Sequence, residues 1–130
     1  MANRDINDLH PDLKPLCEEF LAQCNAIDLD VKITFTYRTP QEQDDIFAQG
    51  RTKPGRMVTN LRGKQSKHCY TIDGKPAAKA FDFGVFDDGA YIGNGSDDRY
   101  LEAGEIGESL GLTWGGRWKH PYDPGHLEID

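Results

Sequence analysis

The sequence predicts an α+β fold in which helices flank a small antiparallel sheet. Apolar residues recur at helical spacing between positions 13 and 24, and alternate with polar ones at 31–38 and again at 80–86. Helical and strand-like stretches follow one another without the regular alternation a parallel sheet requires. The 130 residues, 37% of them hydrophobic, suit a single domain spanning 1–130, with one core and no room for a second of ordinary size.

The first helix is expected to open at Pro11, a residue well placed in a first turn. Leu13, Leu16, Cys17, Phe20, Leu21 and Cys24 then mark its apolar face. Val31, Ile33, Phe35 and Tyr37 alternate with Lys32, Thr34, Thr36 and Arg38, the pattern of a half-buried strand. Its polar face ends in Arg38, at a corner where functional side chains tend to be presented. Thr39-Pro40-Gln41-Glu42 is a capping box with proline at the first helical position, and the helix it starts is expected to stop at a left-handed Gly50. Residues 51–67, rich in Gly, Lys and Arg around Met57-Val58, read as a loop. In the strand from Ala80, the residues Ala80, Asp82 and Gly84 face one way and Phe81, Phe83 and Val85 the other. Asp87-Asp88-Gly89 is a turn leading to a return strand at Tyr91-Ile92. Ser96-Asp97 caps a third helix carrying Tyr100, Ala103, Ile106 and Leu110 and ending at Gly111. Leu112-Thr113-Trp114 and His126 to Asp130 complete the sheet.

Charge narrows the function. Fifteen basic against 22 acidic residues leave a formal charge of −7. Binding to a phosphate backbone needs clustered Lys and Arg, so nucleic acid is excluded as a partner. The acidic surface offers no attraction to an anionic envelope and reads as solubility. No stretch approaches the ~20 apolar residues of a membrane span. Met1 to Asp8 lacks the apolar core of a secretory signal, so synthesis in a cytoplasm is expected. Cys17, Cys24 and Cys69 do not form a disulfide framework. The first two, seven apart, share a helix face as small buried apolar residues.

A metal centre is the sharpest chemical signal. In a strand from His126, that residue, Glu128 and Asp130 face away from the core, while Leu127 and Ile129 face into it. If this strand neighbours the one from Ala80, Asp82 and His126 project from the same sheet face, and His68 needs only a loop to join them. One carboxylate and two imidazoles suit Zn²⁺ with a position left open for water. Asp123, three residues before His126, is then the base for that water. Arg38, always charged and forked, is the candidate for a substrate carboxylate or a developing oxyanion. Taken singly, a strand aspartate is usually exposed or paired with lysine, and a lone histidine usually lies on the surface. His120 is a spare imidazole that can replace His68 in a different ligand set, and spacing does not choose between them. Cys69 directly follows a proposed ligand, and adjacent residues rarely converge on one ion.

Ser66-x-His68 with Ala80-x-Asp82, and Asp123-x-x-His126-x-Glu128, resemble the paired motifs of the M15 zinc peptidases. Leu9-His10-Pro11-Asp12-Leu13, Tyr37-Arg38-Thr39-Pro40 with Gln43, Gln49-Gly50-Arg51-Thr52 and Leu112-Thr113-Trp114-Gly115-Gly116 with Trp118 are similar to the endolysin-type branch. The likeness covers nearly the whole chain. It implies an M15-type fold with the zinc site on the sheet face, His68, Asp82 and His126 as ligands, and Asp123 as catalytic base. It further implies that Arg38 and Ser66 contact substrate and that Glu128 orients a ligand and tunes the metal. The implied reaction is hydrolysis of the L-alanyl-D-glutamate bond of peptidoglycan stem peptides. The protein would act as a monomer in the periplasm or cell wall after release from a host cytoplasm, as a bacteriolytic phage enzyme does.

One departure stands out. The family usually keeps a short His-x-x-Gly-x-Ala-x-Asp run, whereas here Cys69 to Lys79 intervenes between His68 and Ala80. Tyr70 to Lys79 reads as a hairpin with Asp73-Gly74 at its tip. The added length costs little in closure entropy, so the ligands still meet, but the bond cleaved is less constrained than the metal. A D-Ala-D-Ala carboxypeptidase or crosslink-cleaving peptidase is the alternative enzyme. A non-catalytic zinc-stabilised binding module is the alternative of another class.

Overall fold

The computed structural model describes residues 3–49, 51–54, 66–119 and 121–130. Its first helix, α1 (Lys14–Ala26), begins after the expected Pro11 because of a second proline, Pro15. Pro15 lacks the N–H that would bond back to Pro11, which interrupts the ladder between the Lys14 N–H on the His10 carbonyl at 3.0 Å and the Cys17 N–H on the Leu13 carbonyl at 2.8 Å. Pro11 to Leu13 form the turn before it. The apolar face buries Cys17, Phe20 and Cys24. The Phe20 ring packs at 5.7 and 5.1 Å from those of Phe81 and Phe83.

Strand β1 (Asp30–Phe35) leads through Arg38 into helix α2 (Pro40–Ala48). The capping box is complete: the Thr39 hydroxyl accepts from the Glu42 N–H at 3.1 Å, and the Glu42 carboxylate accepts from the Thr39 N–H at 2.9 Å. Gly50 and Met57-Val58 lie outside the described residues. The chain resumes at Ser66 and a short 3-10 turn, Lys67–Cys69. There follow β2 (Thr71–Ile72), β3 (Lys75–Pro76), β4 (Ala80–Asp87), β5 (Ala90–Tyr91), helix α3 (Asp98–Ser109), β6 (Thr113–Trp114) and β7 (His126–Glu128).

β2 and β3 form the expected hairpin apart from the main sheet. Asp73 and Gly74 at its tip have φ of 52° and 75°, the paired left-handed geometry of a type I′ turn. The main sheet runs β1-β4-β7-β6, with β5 also on β4. Every pairing in it is antiparallel.

β1 departs from simple alternation. Its register against β4 shifts between Ile33, opposite Phe83, and Phe35, opposite Asp82. This bulge rotates Phe35 away from the core expected for it. Its ring instead lies 6.2 Å from that of His68 and 4.1 Å from the Arg38 guanidinium carbon. Ile33 and Tyr37 still pack against the core.

α3 covers the opposite end of the sheet. Asp97 caps it by accepting from the Arg99 N–H at 3.0 Å, and Gly111 follows its end at φ 90°. Tyr100, Ala103, Gly104 and Gly107 form its buried face. A Cβ on Gly107 would press into the Leu127 side chain, so the missing side chain is what lets α3 close onto β7.

Candidate metal centre and active site

The pairing of β4 with β7 sets Asp82 directly opposite His126. On one face of these strands Phe81 and Leu127 are wholly buried in the core. On the other, His126 Nδ1 lies 3.2 Å from Asp82 Oδ1. The turn at Ser66 brings His68 to the same oxygen, with Nε2 at 3.3 Å. The Ser66 hydroxyl shapes that turn by accepting the His68 N–H at 3.2 Å. His68, Asp82 and His126 each offer one ligand atom, and those atoms all lie within 4.8 Å of one another. His120 lies outside the described residues.

The far nitrogens of the two rings settle which near ones are free. His68 Nδ1 lies 2.7 Å from the Thr36 carbonyl, which can only accept, so Nδ1 carries the proton. Its buried Nε2 has no hydrogen-bond partner. His126 Nε2 lies 2.8 Å from Glu128 Oε1, a carboxylate that draws a proton to that nitrogen. Lys67 Nζ holds the other Glu128 oxygen at 2.6 Å and donates to the Ile129 carbonyl. In the neutral rings, the two nitrogens beside Asp82 Oδ1 therefore present lone pairs to a carboxylate. Lone pairs facing one another across about 3 Å repel unless a cation sits among them, and an orphaned buried nitrogen is otherwise costly. The donor set fits Zn²⁺, with two imidazoles and one carboxylate as ligands. The outer hydrogen bonds are those that orient metal-binding histidines.

The electrostatics point the same way. Burial pushes Asp82 up, but the attraction between its carboxylate and a protonated His68 or His126 ring outweighs it and holds the carboxyl well below the usual range. Burial pushes His126 down, yet hydrogen bonds to Asp82 and Glu128 and the charges of Asp82 and Asp123 lift it to about 10. Without a metal, this pocket of carboxylates draws a proton onto an imidazole, the positive charge that a divalent cation would bring in its place. Burial also pushes Glu128 up, and its hydrogen bonds from His126 and Lys67 bring it below its ordinary value.

Asp123 stands at the open side. Its Oδ2 is 3.8 Å from His126 Nδ1, and 43% of its side chain is exposed, against 3% for His68. Partial burial, and then the negative charge of Asp82, raise its pKa. Arg38 reaches the site from the corner, with Nη2 3.0 Å from Asp82 Oδ2 and Nη1 donating to Gln43 at 3.2 Å. A cleft of about 630 Å³ opens beside Asp82 and Asp123, walled by Thr34, Tyr91, Tyr122 and Gly95 among others.

Sequence reasoning did not assign site roles to Thr36, Lys67, Gln43 and Trp118, whose ring lies 5.1 Å from that of His126. Thr36 acts through its main-chain carbonyl, which leaves no mark in the sequence. Lys67 was visible only as the neighbour of a proposed ligand. Cys69 is buried with its thiol pushed up to about 11, chiefly by burial, and its Sγ faces the Thr39 carbonyl.

The M15_4 peptidase family, described as D-alanyl-D-alanine carboxypeptidase, matches residues 59–129. The peptidoglycan L-alanyl-D-glutamate endopeptidase CwlK of Bacillus subtilis is 40% identical over 125 residues, covering 95% of this chain and 74% of that protein. Among solved structures, the L-Ala-D-Glu endopeptidase ChiX of Serratia marcescens shares the fold at a TM-score of 0.65 and 18% identity, over 100% of this chain and 89% of that one. A vancomycin-resistance D,D-pentapeptidase, VanY, solved with Zn(II), shares it at 0.64 and 14% identity, over 93% and 72%. The family match, the close relative and the His/Asp/His group agree: this chain belongs to the M15 family of zinc metallopeptidases.

Proposed function

We propose that this peptidase hydrolyses the L-alanyl-D-glutamate bond of peptidoglycan stem peptides, with zinc held by His68, Asp82 and His126 and with Asp123 as base. The reading rests on the meeting of two imidazole nitrogens at one Asp82 oxygen beside Asp123. The substrate follows from a chain 40% identical to an endopeptidase of that specificity.

Bound zinc supplies a Lewis acid that polarises the scissile carbonyl and acidifies water. The residues supply the rest. Asp123 Oδ2 takes a proton from the attacking water and returns it to the leaving amine of D-glutamate, and its raised pKa makes it a better base than an exposed aspartate. Arg38, held at the edge of the site by Gln43, binds the substrate carboxylate or the oxyanion. Ser66, at the turn that carries His68, offers its hydroxyl proton to the substrate. Glu128 orients His126. We read the enzyme as a monomer that acts on the cell wall, of the lysin type whose motifs it resembles.

Digestion of purified peptidoglycan tests this. New D-glutamate amino termini are expected, lost on chelation or in Asp123→Ala. Full turnover by Asp123→Ala would remove the assigned base. Release of free D-alanine, read by mass spectrometry of the muropeptides, would favour the carboxypeptidase activity for which the family is described.

A further inference from the structure

The cleft beside the metal centre has an unusual lining for a site that acts on an acidic peptide. Asp82 and Asp123 are among its lining, and so are Tyr91 and Tyr122, with 62% and 48% of their surface exposed. No lysine or arginine is among the described residues that line it, and Arg38 is not part of the wall. The remaining lining is neutral, part hydroxyl-bearing (Thr34, Ser96, Tyr100), part apolar (Phe83, Pro124) and otherwise glycine. Tyr122 is fixed in place, its hydroxyl donating to the Gly95 carbonyl at 2.8 Å. Tyr91 is braced by the Phe86 ring at 5.5 Å and lies over Gly84.

Such a cleft suits a ligand with hydroxyls at its edges and apolar C–H faces. The partly exposed rings of Tyr91 and Tyr122 match the second property, and hydroxyls and backbone groups match the first. About 630 Å³ is ample for a sugar ring. The L-alanyl-D-glutamate bond divides its substrate along the same line. On the D-glutamate side lie carboxylates, which suit Arg38. On the L-alanine side, one residue away, lies the muramic acid sugar, uncharged once its lactyl group is amide-linked.

We propose that this cleft is a glycan subsite, in which Tyr91 and Tyr122 hold the muramic acid residue that carries the stem peptide. The inference rests on the L-alanyl-D-glutamate reading above. It makes the enzyme selective for stem peptides still attached to sugar over the same peptides already cut from the glycan.

The test compares kcat/KM for a GlcNAc–MurNAc-linked stem peptide with that for the same peptide N-acetylated in place of the sugar, so that charge is matched. Wild-type enzyme is expected to prefer the glycan-linked substrate by about tenfold or more. Tyr91→Ala should reduce this ratio toward one, and Tyr91→Phe, which keeps the ring, should retain it. Both substrates are measured on one preparation, so any loss of folded enzyme cancels from the ratio. Equal kcat/KM in the wild type, or a ratio that Tyr91→Ala leaves intact, overturns the subsite while the bond assignment stands. Cleavage of neither substrate at that bond overturns the bond assignment and the subsite together.

Discussion

At the scale of single residues, the site is built from hydrogen bonds that decide which atom of each ring is free. Thr36 and Glu128 take the outer imidazole protons, and the inner nitrogens are left for a cation. Glu128→Ala should therefore weaken zinc binding ~10–100-fold without removing a ligand, measured by competition with a chromogenic chelator. Affinity equal to wild type would show that His126 needs no such support. If the Asp123 carboxylate serves as a base and not as a ligand, as proposed, Asp123→Asn should lower kcat by ~10²–10⁴ while the protein still takes up zinc. Loss of zinc together with activity would move Asp123 into the ligand set. Period-two alternation made it legible in the sequence that Asp82 and His126 lie off the core face of their strands, as the pairing of β4 with β7 has them. The approach of His68 to Asp82 was not legible, because it depends on a turn that Ser66 shapes by accepting the His68 N–H.

At the scale of elements, local sequence signals carried most of the boundaries. The capping box at Thr39, the Asp73-Gly74 and Asp88-Gly89 turns and the Asp97 cap all form where side-chain chemistry calls for them. The misses share a cause, in that two residues competed for one role or a register slipped. Pro15 overrode Pro11, and a bulge turned Phe35 toward His68. The Asp97 cap has a testable acid signature. Hydrogen bonds from the Arg99 side chain and backbone hold its carboxyl down at about 2, against an ordinary 3.8. A folded pKa below the unfolded one gives stability that is fully present above 3.8 and lost as pH falls through about 2. Asp97→Asn lacks that acid-labile part, so its denaturation midpoint should converge on that of wild type across this interval. A constant gap would assign the cap's effect to geometry alone. Gly107→Ala should cost about 1–3 kcal/mol by overpacking against Leu127, read by urea denaturation. A neutral result would mean that α3 shifts outward without penalty.

At the scale of the whole molecule, the core and the site occupy opposite faces of the same pair of strands. Phe81 and Leu127 anchor β4 and β7 to α1 and α3, and the rigidity of that face fixes the separation of Asp82 and His126 on the other. The inserted hairpin of β2 and β3 pairs within itself, and its base is tied to the N-terminal segment where the His10 N–H donates to the Ala78 carbonyl at 2.8 Å. The chain can thus carry the extra residues between His68 and Ala80 while the side chains of His68 and Asp82 still converge. Metal and fold should be linked, since a cation that binds only the folded chain stabilises it by mass action. The most direct measurement is zinc affinity, by titration of the metal-free protein, in the wild type and in His68→Ala, Asp82→Ala, His126→Ala, His120→Ala and His10→Ala. One zinc per chain is expected in the wild type, with binding at least a hundredfold weaker in each of the first three variants and unchanged in the last two. Wild-type affinity in Asp82→Ala, or a loss in His120→Ala that His68→Ala does not share, would contradict the account.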